Sequence, residues 1–360
     1  MRRTLTKHWF LVGLSVLIPS GLLLGRFGSP DLVSQAVGWI DARVVTATVL
    51  FLVAFTLASR KLMKAAKQPG PVAVACMINS VLLPLAAWPL AIQFESPDLR
   101  LGLMVAAAVP CTLSAASVWT RQAGGNDAVA LLVTLVTNAL CFLTTPFWIA
   151  NAAGVAIDLD PAAMTLRLLL TAVLPMAIGQ AVRAAPPLRN FADRFKQPLT
   201  NTAQALILTV VFAAAAEGGL QLAGVGDGAA SNAKPPTGLS FVLVGLAGVS
   251  LHVVALVGGF YGSRVFGIAA VDRAAIAFAG SQKTMPVALL VATSPTMLGA
   301  DDLLGPGVGA PFVVFPMLMY HTAQLFIDTA AAKYFRKETE DVAEPVTPPA
   351  ADRDAVVPRT

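Results

Sequence analysis

Apolar residues in this chain gather into runs of about 20, one after another from end to end, and that pattern excludes most ways of folding. A helix of about 20 mostly apolar residues is what it takes to cross the hydrocarbon of a bilayer. Such runs lie at about 8–26, 44–59, 70–92, 101–120, 126–150, 164–183, 200–220, 238–262, 271–293 and 309–334. Charge is correspondingly scarce. Only 12% of the 360 residues are charged and the mean hydropathy is +0.72, against about 25% charged residues in a soluble domain. Cys76, Cys111 and Cys141 all sit inside apolar runs, which excludes a disulfide framework. The surplus of five positive charges is too small and too scattered for a nucleic-acid-binding protein. The expectation is an all-α polytopic membrane protein of ten transmembrane helices, with the lipid bilayer as its surroundings. The first run follows Arg2, Arg3 and Lys7 but has no clean cleavage site after it, so it is expected to be a retained helix.

The basic residues test this count independently, because Lys and Arg collect in cytoplasmic loops. With the N-terminus inside and the spans alternating, 19 of the 25 basic residues fall on the cytoplasmic side and 5 outside. The expected protein therefore sits in an inner or plasma membrane with both termini cytoplasmic. Residues 337–360 (with EPVTPPAADRDAVVPRT at their end) are expected to form a disordered tail. The Gly-rich segment at about 221–237 is expected to be a flexible outer connector.

Two runs are interrupted. The fourth reads AAAVPCTLSAASVW, with Pro110 flanked by Cys111, Thr112 and Ser114; the ninth reads IAFAGSQKTMPVALL, with Gly280, Ser281, Gln282, Lys283, Thr284 and Pro286 together. Each is the fourth helix of a five-helix half, residues 1–150 and 151–336. Five is odd, so the second half enters the membrane from the opposite side and the two halves form an inverted repeat. Interrupted segments at corresponding positions mark the binding site of inverted-repeat transporters, because unwound backbone offers N–H and C=O groups that lipid does not tolerate.

Lys283, the one basic residue left inside a run, is the most informative position. An ammonium at the centre of a spanning helix costs about 2.5–3.5 kcal/mol even on the lenient insertion scale. No acidic residue lies mid-span to pair with it, since Glu217 and Asp328 fall toward the ends of their runs. Lys283 is therefore expected to face the bundle interior, held by Ser, Thr and Asn oxygens. Asn79 is mid-span in the third run, and Thr134, Thr137 and Asn138 share one face of the fifth. His252 and His321 are mid-span in the eighth and tenth runs, either as proton relays or as buried neutral rings.

At PCTLSAAS and GSQKTMP the chain resembles the bile acid:sodium symporter family, and NSVLLPLAAWPL resembles the family's Gln-x-x-x-x-Pro-x-x-x-Trp pattern, with Asn79 in the Gln position beside Pro84 and Trp88. The resemblance covers the whole length. It implies discontinuous helices 4 and 9 that cross, helices 3–5 and 8–10 as a core, and helices 1, 2, 6 and 7 as a panel. The departures are specific. In the family's ninth-helix signature Glu-x-Gly-x-Gln-Asn, the Glu position is Phe278 and the Asn position is Lys283, while Gly280 and Gln282 are kept. The family's Ser-Asn pair on the fourth helix is Ala115 and Ala116; Thr134 matches a family Thr, and a nearby Ser position is Ala130. The resemblance thus implies vestigial sodium sites and a place in the divergent branch that includes the orphan vertebrate member of the solute-carrier bile-acid group.

The expected function is secondary transport of a small organic anion by alternating access, independent of sodium or coupled to protons, with Lys283 in place of the sodium ions. The site is expected to comprise Lys283, Gln282, Ser281, Thr284, Thr112, Ser114, Asn79, Thr134 and Asn138. One alternative keeps sodium symport; another is a non-transporting sensor or regulator. No cofactor is expected beyond Na+ or H+ as a coupling ion. An enzyme or an ATP-driven pump is not expected, because HExxH, GxSxG, GxxxxGK[ST] and paired mid-span carboxylates are all lacking.

Overall fold

A computed structural model describes residues 9–57, 69–153, 160–224, 236–293 and 310–341, and every element among them is helical. In chain order these are α1 (Trp9–Phe27), α2 (Pro30–Gly38), α3 (Ala42–Thr56), α4 (Pro69–Ala91), α5 (Pro97–Ala108), α6 (Ala115–Gln122) and α7 (Asp127–Ala153). There follow α8 (Pro161–Ala184), α9 (Pro186–Arg194), α10 (Lys196–Leu222), α11 (Gly238–Phe266), α12 (Ala270–Ser281), α13 (Met285–Thr293) and α14 (Ala310–Asp341). Six stretches among the described residues are long and apolar enough to cross a membrane, seven if α2 and α3, bent by 42°, count as one. The fourth expected run is two shorter helices, α5 and α6, and the tenth lies in α14, where His321, Gln324 and Asp328 interrupt the apolar residues.

The helix ends follow local chemistry. Asp41 caps α3 by accepting from the backbone N–H of Arg43 and Val44, and Asp160 caps α8 by accepting from Ala162 and Ala163. Prolines open α4, α5, α8 and α9, where a missing N–H leaves nothing unpaired. The connector expected at 221–237 is helical to Leu222, and residues 225–235 lie outside the described residues. The polar tail begins later than expected, because α14 runs to Asp341. An ion pair one turn apart, Arg336 Nε to Glu340 Oε1 at 2.6 Å, supports those added turns. Residues 342–360 lie outside the described residues.

The helices pack in two groups. In the first, α1 lies along α10, and α3 packs on α8 and α10. Here Gly21, Gly25 and Gly219 let backbones approach closely: a Cβ on Gly25 would run into the Ala216 carbonyl, and one on Gly219 into that of Leu22. In the second group α4, α6, α7, α11 and α14 surround α12, and α5 packs on α4, α7 and α14. Nearly all of the Ala270–Thr293 stretch is buried, Val271 near its start being the exposed residue.

A candidate ion and substrate site at two helix breaks

The site begins with a widened turn in α4. Residues Ile78–Leu82 form a π-helical turn in which the Leu83 N–H bonds the carbonyl of Ile78, five residues back. The Asn79 carbonyl thereby loses its usual partner, and the next N–H in line is missing because residue 84 is proline. Pro84 likewise leaves the Ser80 carbonyl without a helical donor. Both freed oxygens are taken by other helices: Ser80 O accepts from Trp148 Nε1 at 2.7 Å, and Asn79 O accepts from Lys283 Nζ at 2.6 Å.

The two breaks supply the rest. Between α5 and α6, Val109 precedes a proline and is held extended (φ −69°, ψ 156°), as the Pro ring requires of its neighbour. Its carbonyl accepts from Lys283 Nζ at 2.9 Å, and Asn79 Oδ1 lies 3.3 Å from the same nitrogen. The ammonium is therefore ringed by three oxygens, and Lys283 is wholly buried. Cys111 and Thr112 give their carbonyls to Asn138 Nδ2 (2.8 Å) and Thr134 Oγ1 (3.0 Å), and Thr137 Oγ1 accepts from the Cys111 N–H. Between α12 and α13 the chain is extended at Gln282 (ψ 143°). The Gln282 carbonyl lies between the two helices with no helical donor, and Asn79 Nδ2 bonds it at 2.9 Å while also lying 3.2 Å from the carbonyls of Ala279 and Gly280. Gly280 permits this approach; a Cβ there would sit 3.1 Å from Ile78 Cγ2. The breaks touch directly, Thr284 N–H donating to the Pro110 carbonyl at 2.9 Å.

A stripe on α14 completes the cluster. Tyr320, Gln324 and Asp328, spaced by four, lie on one helical face. Tyr320 OH donates to the Ser281 carbonyl (2.7 Å), and Gln324 pairs with both the N–H and C=O of Lys283 (3.0 and 3.1 Å). Asp328 Oδ2 accepts from Gln282 Nε2 at 2.5 Å, and Asp328 Oδ1 lies 3.0 Å from His252 Nε2. On its other edge Gln282 accepts from Thr112 Oγ1 at 2.5 Å, so one chain of bonds runs from the fourth-helix break through the ninth to α14 and α11.

Most expected site residues therefore come together. Lys283, Gln282, Asn79, Thr112, Thr134, Asn138 and His252 are joined by side-chain bonds, whereas Ser281 and Thr284 join through their backbones. The Ser281 hydroxyl and Asn138 Oδ1 are buried without a partner. Two expected residues stand apart from this cluster, and one placement needs correction. Ser114 is exposed and lies in a cavity wall. His321 bonds Gln324 (2.8 Å) and makes no direct bond to His252. Asp328, placed toward a helix end from the sequence, is wholly buried at the centre of the network. The period-four stripe was the available signal for Asp328, Gln324 and Tyr320.

Beside this junction a cavity of about 860 Å³ lies between the two helix groups. Phe10, Val53, Leu113, Trp119, Leu131 and Leu325 give it apolar walls; Ser114, Ser117, Thr200, Gln204 and Thr329 give it hydroxyl and amide groups; Arg121, Arg194 and Lys196, with Asp193, give it charge. Lys283 is not among its lining residues.

An all-helical, largely apolar bundle in which two interrupted helices meet at a buried polar junction has the build of a secondary transporter. The chain belongs to the SBF-like CPA transporter family, whose model matches residues 8–337. It is 26% identical to the Arabidopsis thaliana protein named "Probable sodium/metabolite cotransporter BASS4, chloroplastic", over 92% of this chain and 74% of that one. It is 22% identical to sodium/bile acid cotransporter 7 of Danio rerio, over 89% of this chain and 91% of the relative, and 22% identical to that of Mus musculus, over 89% and 90%. The protein is thus a multi-pass membrane transporter and not an enzyme.

Proposed function

We propose that this transporter carries a small organic anion by alternating access, without sodium, and that the Lys283 ammonium is a tethered cation at the place where two helix breaks meet. The observation that carries the reading is the ring of Asn79 O, Asn79 Oδ1 and Val109 O at 2.6–3.3 Å from Nζ. Carbonyl and amide oxygens freed from helices are what a small cation uses for ligands. A covalently held ammonium on three of them leaves no room or need for a diffusible ion. The cavity supports an anionic substrate, since its walls are mostly apolar and its three cationic groups outnumber its one carboxylate.

The architecture in this reading is ten spans, with α5–α6 and α12–α13 as the broken fourth and ninth, in two inverted five-helix repeats (1–150 and 151–336). Both termini are cytoplasmic. The group around α12 is the moving core, and α1, α3, α8 and α10 are the panel, with the cavity at their boundary. Arg121, Arg194 and Lys196 lie in cytoplasmic segments of this topology, so the cavity opens inward and gathers anions from that side. A sodium-coupled reading draws on the relatives' names, on Thr134 and Gln282, which match family positions, and on Asn79, Thr112 and Ser114 as further oxygens. The two are separated by radiolabelled anion uptake into proteoliposomes under a sodium gradient, a proton gradient or neither. The expected result is uptake indifferent to sodium in the wild type and abolished in Lys283→Ala with insertion intact. Uptake rising steeply with external sodium overturns the tethered-cation reading.

A further inference from the structure

Among the described residues only one Lys or Arg and only one Asp or Glu have no solvent exposure at all, Lys283 and Asp328, each 0%, and His252, which lies against Asp328, is equally buried. Lys283 and Asp328 do not form an ion pair with one another. They are linked through the residue next to Lys283, because the Gln282 amide donates to Asp328 Oδ2 at 2.5 Å, and Gln324, one turn before Asp328 on α14, clamps the Lys283 backbone. Gln282 Nε2 donates to Asp328 Oδ2, and Oδ1 lies 3.0 Å from His252 Nε2, whose other ring nitrogen lies 3.4 Å from the Ser281 carbonyl. The other nearby charges are engaged elsewhere: Arg121 with Asp127 (3.1 Å), Asp272 with Asn126 (2.8 Å), and Arg273 over the Phe260 ring (4.9 Å).

We infer that Asp328 is the fixed counter-charge of Lys283, so that the buried junction is electrically complete with no diffusible ion, and that the oxygens around Nζ form a latent sodium site that opens when the ammonium is removed. The inference rests on the reading of Lys283 as a tethered cation. The resemblance gives it a reason. The chain lacks the carboxylate of the family's ninth-helix signature, because Phe278 stands there and packs on Phe335 (5.7 Å), away from the junction; α14 supplies a carboxylate instead. A buried charge stripped of its compensation is strongly destabilising. Asp328 is thus a positioning residue, acting on the cation through Gln282 and through the field of the junction.

The test is a double-variant cycle read by thermal unfolding of the purified full chain, in N-methylglucamine chloride and in sodium chloride, with no anion present. Lys283→Asn and Asp328→Asn are each expected to lower Tm by about 10 °C in N-methylglucamine. The double variant Lys283→Asn/Asp328→Asn is expected to recover most of that loss. Sodium is expected to raise the Tm of Lys283→Asn in a saturable way and to leave the wild type, Asp328→Asn and the double variant unmoved. A merely structural Asp328 gives no sodium response confined to one single variant. If a single variant yields too little protein to melt, recovery of yield in the double variant reads the same coupling. Additive losses, unrecovered yield, or a Lys283→Asn protein indifferent to sodium overturn the inference. Because no anion is used, this failure is distinct from a failure of anion uptake.

Discussion

The two breaks solve one problem with different chemistry. At the fourth-helix break the freed carbonyls of Cys111 and Thr112 go to Asn138 and Thr134, and the Cys111 N–H goes to Thr137, all neutral groups on the neighbouring α7. At the ninth-helix break the matching service comes from α14, but its groups are Tyr320, Gln324 and the Asp328 carboxylate, with His252 of α11 behind it. The difference follows from Lys283. A break that brings no charge needs only hydroxyl and amide partners; a break that brings an ammonium into a low-dielectric interior needs oxygens around the cation and an anion near it. The fourth break contributes oxygen to the ninth break's cation, through Val109, and receives an N–H, through Thr284.

This comparison predicts a ranking. Gln324→Leu is expected to be the most damaging of three substitutions, by about 3–4 kcal/mol, because it unpairs both the N–H and the C=O of a buried residue that also carries a charge; chemical denaturation in lipid or detergent reads it. Asn138→Leu strikes the neutral break and is expected to cost about 1–3 kcal/mol, through the single orphaned Cys111 carbonyl. If Asn138→Leu proves the worse of the two, the charge-based distinction between the breaks is wrong. Trp148→Phe is the mildest, at about 1 kcal/mol. It removes one bond to the Ser80 carbonyl while keeping an aromatic ring in place, and it is expected to leave anion uptake within about twofold of wild type, since the carbonyl freed for Lys283 is that of Asn79. A large loss of uptake in Trp148→Phe shows instead that the two carbonyls of the π turn act together.

Much of this was legible before any coordinates. Pro110 and the Gly280-to-Pro286 cluster stand out because nothing else in the apolar runs disrupts a helix so densely, and Lys283 stands out because no lipid-facing position tolerates it. Asn79, Thr134 and Asn138 could be named from their place in mid-span. What sequence could not show is which atom of a residue acts. Asn79 was expected to offer its side chain, and it does, yet its main-chain carbonyl makes the shorter bond to Lys283 because of a π turn for which Pro84 is the only sequence trace. Ser114 follows Cys111 and Thr112 closely in sequence, but the irregular backbone of the break (φ −134°, ψ −36° at Ser114) leaves it on a cavity wall while they stay buried. Asp328 lies near the polar end of its apolar run and reads as a surface group until Gln282 and His252 are brought against it by helices distant in sequence. Its significance is tertiary, and only the Tyr320, Gln324, Asp328 spacing hints at it.

Equilibrium binding of radiolabelled sodium to the purified protein tests the tethered cation most directly. A fixed ammonium on the freed oxygens predicts no saturable binding to the wild type and saturable binding to Lys283→Asn. Stoichiometric sodium on the wild-type protein, displaced by unlabelled sodium, would contradict it.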